Sequence, residues 1–313
     1  MKVIFIDSVH PILNDRLTEL GCDCSDYTNE SREKIIADLH LFEGAVIRSK
    51  FKFTSDIFEK APNLRFIARS GSGMENIDRI EAEKRNVICF NSPEGNRDAV
   101  AEHTLGMLLT LLNKIHTTDL EVRKGIWKRE ENRGIEIKNK TIGIMGCGVM
   151  GEAVAQRLSG FGCKIIGYDK YKSEINSKYI NQVDLDTFKK ETDILSLHFN
   201  YLEENHLFVD YEFLNSFHKN IYLINTSRGK NLSLEGLWKS IEDGKVKGAC
   251  LDVLEHESTS FENVKFESLP ESFQNLLKSD KVLFSPHVGG WTHESYVKLS
   301  TFLAEKIEKE FFS

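Results

Sequence analysis

The stretch Thr141 to Gly151, TIGIMGCGVMG, constrains the fold of this 313-residue chain more than any other. Thr141 to Met145 is a short apolar run preceded by polar Asn139 and Lys140, the pattern of a buried parallel strand. Gly146, Gly148 and Gly151 follow in G-x-G-x-x-G spacing, and Glu152 to Leu158 carries the apolar positions of a helix at Ala153, Val154, Ala155 and Leu158. In such a unit the first glycine allows the tight turn, the second lets a pyrophosphate approach the backbone, and the third lets helix and strand pack closely. The N–H groups at the start of the helix then face an anion. The motif alone is a weak signal, but its context adds to it. A second strand, Lys164 to Tyr168, ends at Asp169, eighteen positions after Gly151, near the spacing at which an acid bonds the hydroxyls of an adenosine ribose. A carboxylate there repels a 2′-phosphate, so the expected cofactor is NAD rather than NADP. Lys170 and Lys172 weaken that preference only slightly.

The chain is long enough for two domains, and 40% apolar with 28% charged residues suits an enzyme with a sizeable core. A formal charge of −7 without a long basic run argues against nucleic acid as a partner and gives no sign of a membrane surface. At the N-terminus, MKVIFIDSVHP, the apolar run before Asp7 is too short for a signal peptide or a membrane span, so a cytoplasmic location is expected. Cys22, Cys24, Cys89, Cys147, Cys163 and Cys250 form no C-x-x-C pair, and the histidines do not cluster at metal-ligand spacing. No metal is expected, and most of these thiols read as small buried hydrophobes.

From Lys2 onward strand-like and helix-like segments alternate: KVIFI, Ile12 to Leu20, Arg32 to Leu39, GAVI at 44 to 47, Ser55 to Lys60, Arg65 to Ala68, Ile77 to Lys84 and VICF at 87 to 90. That βα repeat predicts a parallel sheet with helices on both faces. Because the glycine fingerprint belongs on the first strand of its own sheet, the preceding residues form a separate domain, joined near Asp98. A single core helix is expected from Ala99 to Val122. Further strands at 193–197, 221–224, 247–251 and 281–284 complete a doubly wound sheet, and a last helix, from about Thr292 to Phe311, returns to the first domain. The fold class is thus α/β, with a Rossmann domain at 99–290 inserted into an α/β substrate domain made of 1–98 plus 291–313.

Ligands of open α/β sheets lie beyond the carboxyl ends of the strands. Three of those ends carry N-T-S-R-G at 225–229, D-V-L-E-H-E at 252–257 and S-P-H-V-G-G at 285–290. An arginine, a carboxylate and a histidine beside a nicotinamide suffice to oxidise a hydroxy acid. Arg228 can clamp a substrate carboxylate and polarise the C2 oxygen, which a lysine does less well. His287 can exchange the hydroxyl proton, with Glu257 holding its imidazole. Each has an ordinary structural reading, and their joint placement after the fingerprint singles them out.

Taken together, GCGVMG, INTSRG, GACLDVLEHE and SPHVGG, preceded by NSPEGNRDAVAEHTLGMLL, resemble the D-isomer-specific 2-hydroxyacid dehydrogenases, from about Ile47 to the last helix. The resemblance implies a flavodoxin-like first domain and catalytic roles for Arg228, Glu257 and His287. It also implies cofactor contacts from Gly146, Gly148, Val149, Met150, Gly151, Asp169, Thr226 and Asp252. In that family the discontinuous first domain closes over the cleft, and homodimers form through the nucleotide domain. The chain departs from the pattern at Ser258, where a proline is usual, at Asn200 and at Ser233. The thirty positions from Glu257 to His287 are also more than is typical. They include Phe261, Phe266 and Phe273, which suit packing, and they make Glu255 and Glu262 rivals of Glu257. Trp291, where a small residue is commoner, is placed to crowd a substrate.

The loops R-S-K at 48–50 and R-S-G-S-G at 69–73 resemble the family's substrate loops, implying substrate contacts from Arg48, Arg69, Ser70 and Gly71. In the 3-phosphoglycerate members a basic residue of the first loop faces the phosphate, and Arg48 and Lys50 suit that role. The expected substrate pair is therefore D-3-phosphoglycerate and 3-phosphohydroxypyruvate, with hydroxypyruvate or glyoxylate reduction as the alternative. A reading from a different class, a dinucleotide-sensing corepressor, lacks a DNA-reading helix or basic arm.

Overall fold

The computed structural model describes residues 1–257 and 270–313, which fall into two compact units, 1–97 with 291–313, and 98–290. The expectations for Ser258, Phe261, Glu262 and Phe266 lie outside the described residues.

In the first unit five parallel strands, β1 (Lys2–Phe5), β2 (Asp23–Asp26), β3 (Gly44–Ile47), β4 (Phe66–Arg69) and β5 (Ile88–Asn91), pair in the order β2-β1-β3-β4-β5, the flavodoxin-like arrangement. Side chains of a strand alternate between faces, and two cores result. Val3, Phe5, Val46, Phe66 and Ala68 pack with Leu13, Leu17, Leu303, Ala304 and Ile307, so the first helix (Ile12–Glu19) and the C-terminal helix (His293–Phe311) cover one face. Ile4, Ile6, Ala45, Ile47 and Ile67 pack on the other with Ile35, Leu39, Ile57 and Phe58. The C-terminal helix starts at a capping box between Thr292 and Ser295.

The second unit holds β6 (Thr141–Met145), β7 (Lys164–Tyr168), β8 (Asn181–Gln182), β9 (Ile194–Leu197), β10 (Ile221–Asn225), β11 (Val246–Leu251) and β12 (Val282–Phe284). They form one parallel sheet in the order β12-β11-β10-β9-β6-β7-β8. The order reverses between β6 and β9, both buried along their whole length, and a doubly wound sheet takes its ligand at that switch point.

The single helix expected over 99–122 is instead two, Pro93–Leu112 and Ile115–Arg123. Asn113 Nδ2 donates to the Leu109 carbonyl at 3.0 Å and Lys114 adopts the left-handed conformation (φ 52°), which ends the first helix. The apolar run therefore serves two ends. Met107, Leu108, Leu111 and Leu112 are buried against Ile142, Ile144, Ile224 and Cys250, whereas the second helix buries no side chain and leaves Ile115, Leu120 and Val122 more than half exposed, at 52%, 55% and 53%. Among the described residues no helix is long and apolar enough to cross a membrane.

Candidate active site

The fingerprint turn follows β6 directly, and its helix spans Val149–Leu158 with Gly148 as N-cap, three residues earlier than periodicity suggests. Gly146 has φ +92°, and a Cβ there would meet the Phe199 backbone nitrogen at 2.5 Å; one on Gly151 would meet the Gly146 carbonyl oxygen at 2.2 Å. Around Gly148, by contrast, there is open space, and Val149 and Met150 beside it are accessible. The first and third glycines thus hold strand and helix together, and the second leaves room for an anion at a helix N-terminus. Asp169 ends β7, and its carboxylate accepts N–H bonds from Cys147 (2.8 Å), Tyr171 (3.0 Å) and Lys172 (3.2 Å). Three bonds leave lone-pair capacity on a carboxylate for ribose hydroxyls. Met145, Gly146, Tyr168, Asp169, Phe199 and Phe208 line one recess at this end of the sheet, apolar enough to take an adenine. The residues present therefore fit a dinucleotide.

Beyond β10, the fully buried Asn225 organises the turn. Its Oδ1 accepts from the Ser227 amide (3.1 Å) and hydroxyl (2.8 Å), and its Nδ2 donates to the Arg228 carbonyl (3.1 Å). Arg228 sits in extended backbone with Nη1 donating to the Ser227 carbonyl at 2.7 Å. A Cβ on Gly229 would meet the Leu254 carbonyl oxygen at 1.9 Å, so the loops after β10 and β11 touch backbone to backbone. Thr226 Oγ1 lies 2.9 Å from Thr104 Oγ1 on the Pro93–Leu112 helix.

Beyond β11, Glu257 is held by its Oε1, which accepts the Leu254 amide, and its Oε2 lies 2.7 Å from His287 Nδ1. Glu255 turns elsewhere, accepting the Leu234 amide at 2.9 Å. His287 itself follows β12 with φ +55°, a left-handed conformation that costs a non-glycine residue about 1–2 kcal/mol. The buried Asp252 offsets that cost. Its backbone carbonyl accepts the His287 amide at 2.7 Å, and its carboxylate accepts the Ser285 hydroxyl (2.6 Å) and the amides of Val288 and Gly289 (both 2.9 Å). Burial pushes the Asp252 carboxyl up, but bonds from His103, Ser285, Gly289 and Val288 outweigh it and hold it below the usual carboxylate range, ionised at neutral pH. His198, after β9, is driven by burial down to about 3 and stays neutral, so it offers no competing proton carrier.

In the first unit Arg69 is buried and donates from Nε to the Arg48 carbonyl at 3.2 Å; a Cβ on Gly71 would strike its guanidinium. The buried Ser70 donates its amide to Ile47. Arg48 donates its amide to the Asp7 carboxylate at 2.6 Å and lays its guanidinium over the Trp291 ring at 4.0 Å, in a recess shared with Ser8, Thr292, His293 and Tyr296. Lys50 points instead to the Thr28 carbonyl (2.7 Å). Sequence reading missed Asn225, His103, Thr104 and Ser285 as organisers; the available signal was a polar pair at 103 and 104 beside the apolar stretch Leu105 to Leu112.

The family model for the D-isomer specific 2-hydroxyacid dehydrogenase NAD binding domain matches residues 105–289, the span that carries the glycine turn, Arg228, Glu257 and His287. The chain belongs to the D-isomer specific 2-hydroxyacid dehydrogenase family. Its second unit is that family's NAD binding domain. Among relatives of this dehydrogenase family member, a hydroxypyruvate reductase of Thermotoga maritima is 35% identical over 88% of this chain and 86% of its own length. A D-3-phosphoglycerate dehydrogenase of Archaeoglobus fulgidus is 30% identical over 98% of this chain but 56% of its own length, so the chain spans little more than half of that relative. A solved acyclic imino acid reductase in complex with NADPH and D-Arg aligns with a TM-score of 0.85 at 26% identity, over 99% of this chain and 96% of that one.

Proposed function

We propose that this chain interconverts a small D-2-hydroxy acid and its 2-keto acid with NAD(H). The observation that carries the reading is the His287–Glu257 pair, 2.7 Å apart, with Glu257 on the loop that touches the Arg228 turn. A bound nicotinamide supplies or accepts the hydride. Arg228 grips the substrate carboxylate and draws electron density toward the C2 oxygen. With Nδ1 committed to Glu257, His287 uses Nε2 to donate a proton to that oxygen in reduction and to remove it in oxidation. Glu257, anchored by the Leu254 amide, fixes the ring and compensates its charge when protonated.

The leading substrate is 3-phosphohydroxypyruvate or its D-hydroxy product, supported by the cationic recess at Arg48 and by the phosphoglycerate dehydrogenase relatives. Hydroxypyruvate or glyoxylate is the second reading, favoured by the Thermotoga relative that matches over 86% of its length. Steady-state NADH oxidation with each keto acid separates them: the first reading requires the phosphorylated acid to have the highest kcat/KM and Arg48→Ala to abolish that lead. Equal kcat/KM for phosphorylated and unphosphorylated acids contradicts it.

Asp169 at the ribose end supports NAD over NADP. Asp169→Ala is expected to shrink the NAD:NADP ratio of kcat/KM by about tenfold or more, through removal of one repulsive charge. A wild type that already prefers NADP contradicts this assignment.

A homodimer is proposed through the second unit. Ile115, Leu120, Val122, Ile126 and Trp127 are exposed within thirteen residues, with Trp127 at 83%, an apolar density uncommon on a free surface. Leu120→Glu with Trp127→Glu should convert the dimer to monomer in sedimentation analysis, and an unchanged sedimentation coefficient rejects that surface.

A further inference from the structure

We propose that His103 is a positioning residue for His287, acting through Ser285 and Asp252; the inference rests on the proton-transfer role given to His287 above. His103 lies on the Pro93–Leu112 helix, with Nε2 2.9 Å from Ser285 Oγ and 3.4 Å from Asp252 Oδ1. Asp252 is ionised and can only accept, so the Ser285 hydroxyl donates to it at 2.6 Å. Ser285 Oγ therefore accepts from His103 Nε2–H, which fixes the tautomer and gives the chain one direction, from His103 to Ser285 to Asp252.

The far end of that chain is the backbone of the His287 loop. Asp252 takes the amides of Val288 and Gly289 on its carboxylate and the amide of His287 on its carbonyl. Every one of these bonds favours the left-handed turn at His287 that the residue would not adopt by itself. The same helix adds Met107, whose sulfur lies 3.5 Å from Ser285 Oγ and whose carbonyl is 3.4 Å from Cys250 Sγ, and Thr104 beside Thr226. Three positions on one helix, 103, 104 and 107, thus tie the carboxyl ends of β10, β11 and β12. Without the His103 donor, Ser285 Oγ loses the N–H bond it accepts, and the carboxylate that holds the loop loses its 3.4 Å neighbour. The His287 ring is then held less tightly relative to Glu257, and proton transfer slows while ligand affinity is spared.

The test compares wild type, His103→Leu and His103→Gln, the last keeping a side-chain N–H donor of similar reach. His103→Leu is expected to lower kcat by about ten- to a hundredfold, the effect of a misplaced catalytic group. Exchange of the Val288 and Gly289 amides should accelerate at least about tenfold, with the keto-acid KM and NADH Kd within about threefold of wild type, and His103→Gln should return kcat to within about threefold. Unchanged kcat and exchange in His103→Leu overturn the proposal. So does a fall in NADH affinity as large as the fall in kcat, which places His103 in the cofactor pocket, or a glutamine variant no better than leucine, which makes its role packing. If the wild type turns over no keto acid, the reading of the site fails, and the amide exchange rates still decide whether His103 holds the loop.

Discussion

His287→Ala is expected to lower kcat by about a hundredfold or more, on the order of 2.7 kcal/mol of lost transition-state stabilisation, while the NADH Kd stays within about twofold. The selectivity of the loss follows from how the loop is built. Asp252 holds the 285–289 turn through the backbone amides of His287, Val288 and Gly289 and through the Ser285 hydroxyl, and none of these uses the imidazole. Alanine therefore removes the ring and leaves its support. The ring's Nδ1 bond to Glu257 goes with it, leaving Glu257 anchored to the Leu254 amide and still in reach of water. Stopped-flow reduction separates the chemical step from product release. An unchanged rate of that step removes His287 from proton transfer.

Arg228→Ala is expected to cost more in kcat/KM than in kcat, by about a thousandfold overall, because a guanidinium that binds the carboxylate contributes to both ground-state and transition-state binding. Arg228→Lys should recover no more than about tenfold: a lysine keeps the charge but has no planar fork with which to hold carboxylate and C2 oxygen together. The backbone should survive either change, since Asn225 holds the Arg228 carbonyl and Gly229 packs on Leu254 without help from the side chain. Unfolding curves superimposable on wild type check that point. Near-normal kcat/KM in the lysine variant contradicts a bidentate clamp.

Much of the architecture was legible because its signals are local. An apolar run, three glycines at fixed spacing and an acid at the end of the next strand define β6, its turn and β7 without any long-range information. Arg228, Glu257 and His287 stand out as candidates because each lies in the loop after a strand, and strands of a parallel sheet end on the same side. What escaped was set by side-chain reach. The break at Asn113 and Lys114 looks helical in composition, and only the Asn113 bond to the Leu109 carbonyl and the left-handed Lys114 reveal it. Asp252 also has both carboxylate oxygens engaged with the loop that carries His287, and that bracing is invisible until residues 252 and 285–289, over thirty positions apart, are seen together. His103 was hidden for the same reason. Trp291 reads as an obstruction in sequence, and its ring proves to be the surface on which the Arg48 guanidinium rests.

On the proposed function, the groups beyond β10, β11 and β12 convert a 2-keto acid to a 2-hydroxy acid of one hand, with NADH as reductant. Reduction of 3-phosphohydroxypyruvate, hydroxypyruvate and glyoxylate with NADH carrying deuterium at the transferable C4 position tests it, with the label and, for the chiral products, the configuration read at C2. Deuterium is expected on C2 in every product that forms, with the D-configuration in the glycerate products. Tight NADH binding with no label transferred to any of the three acids, or an L-product, contradicts it.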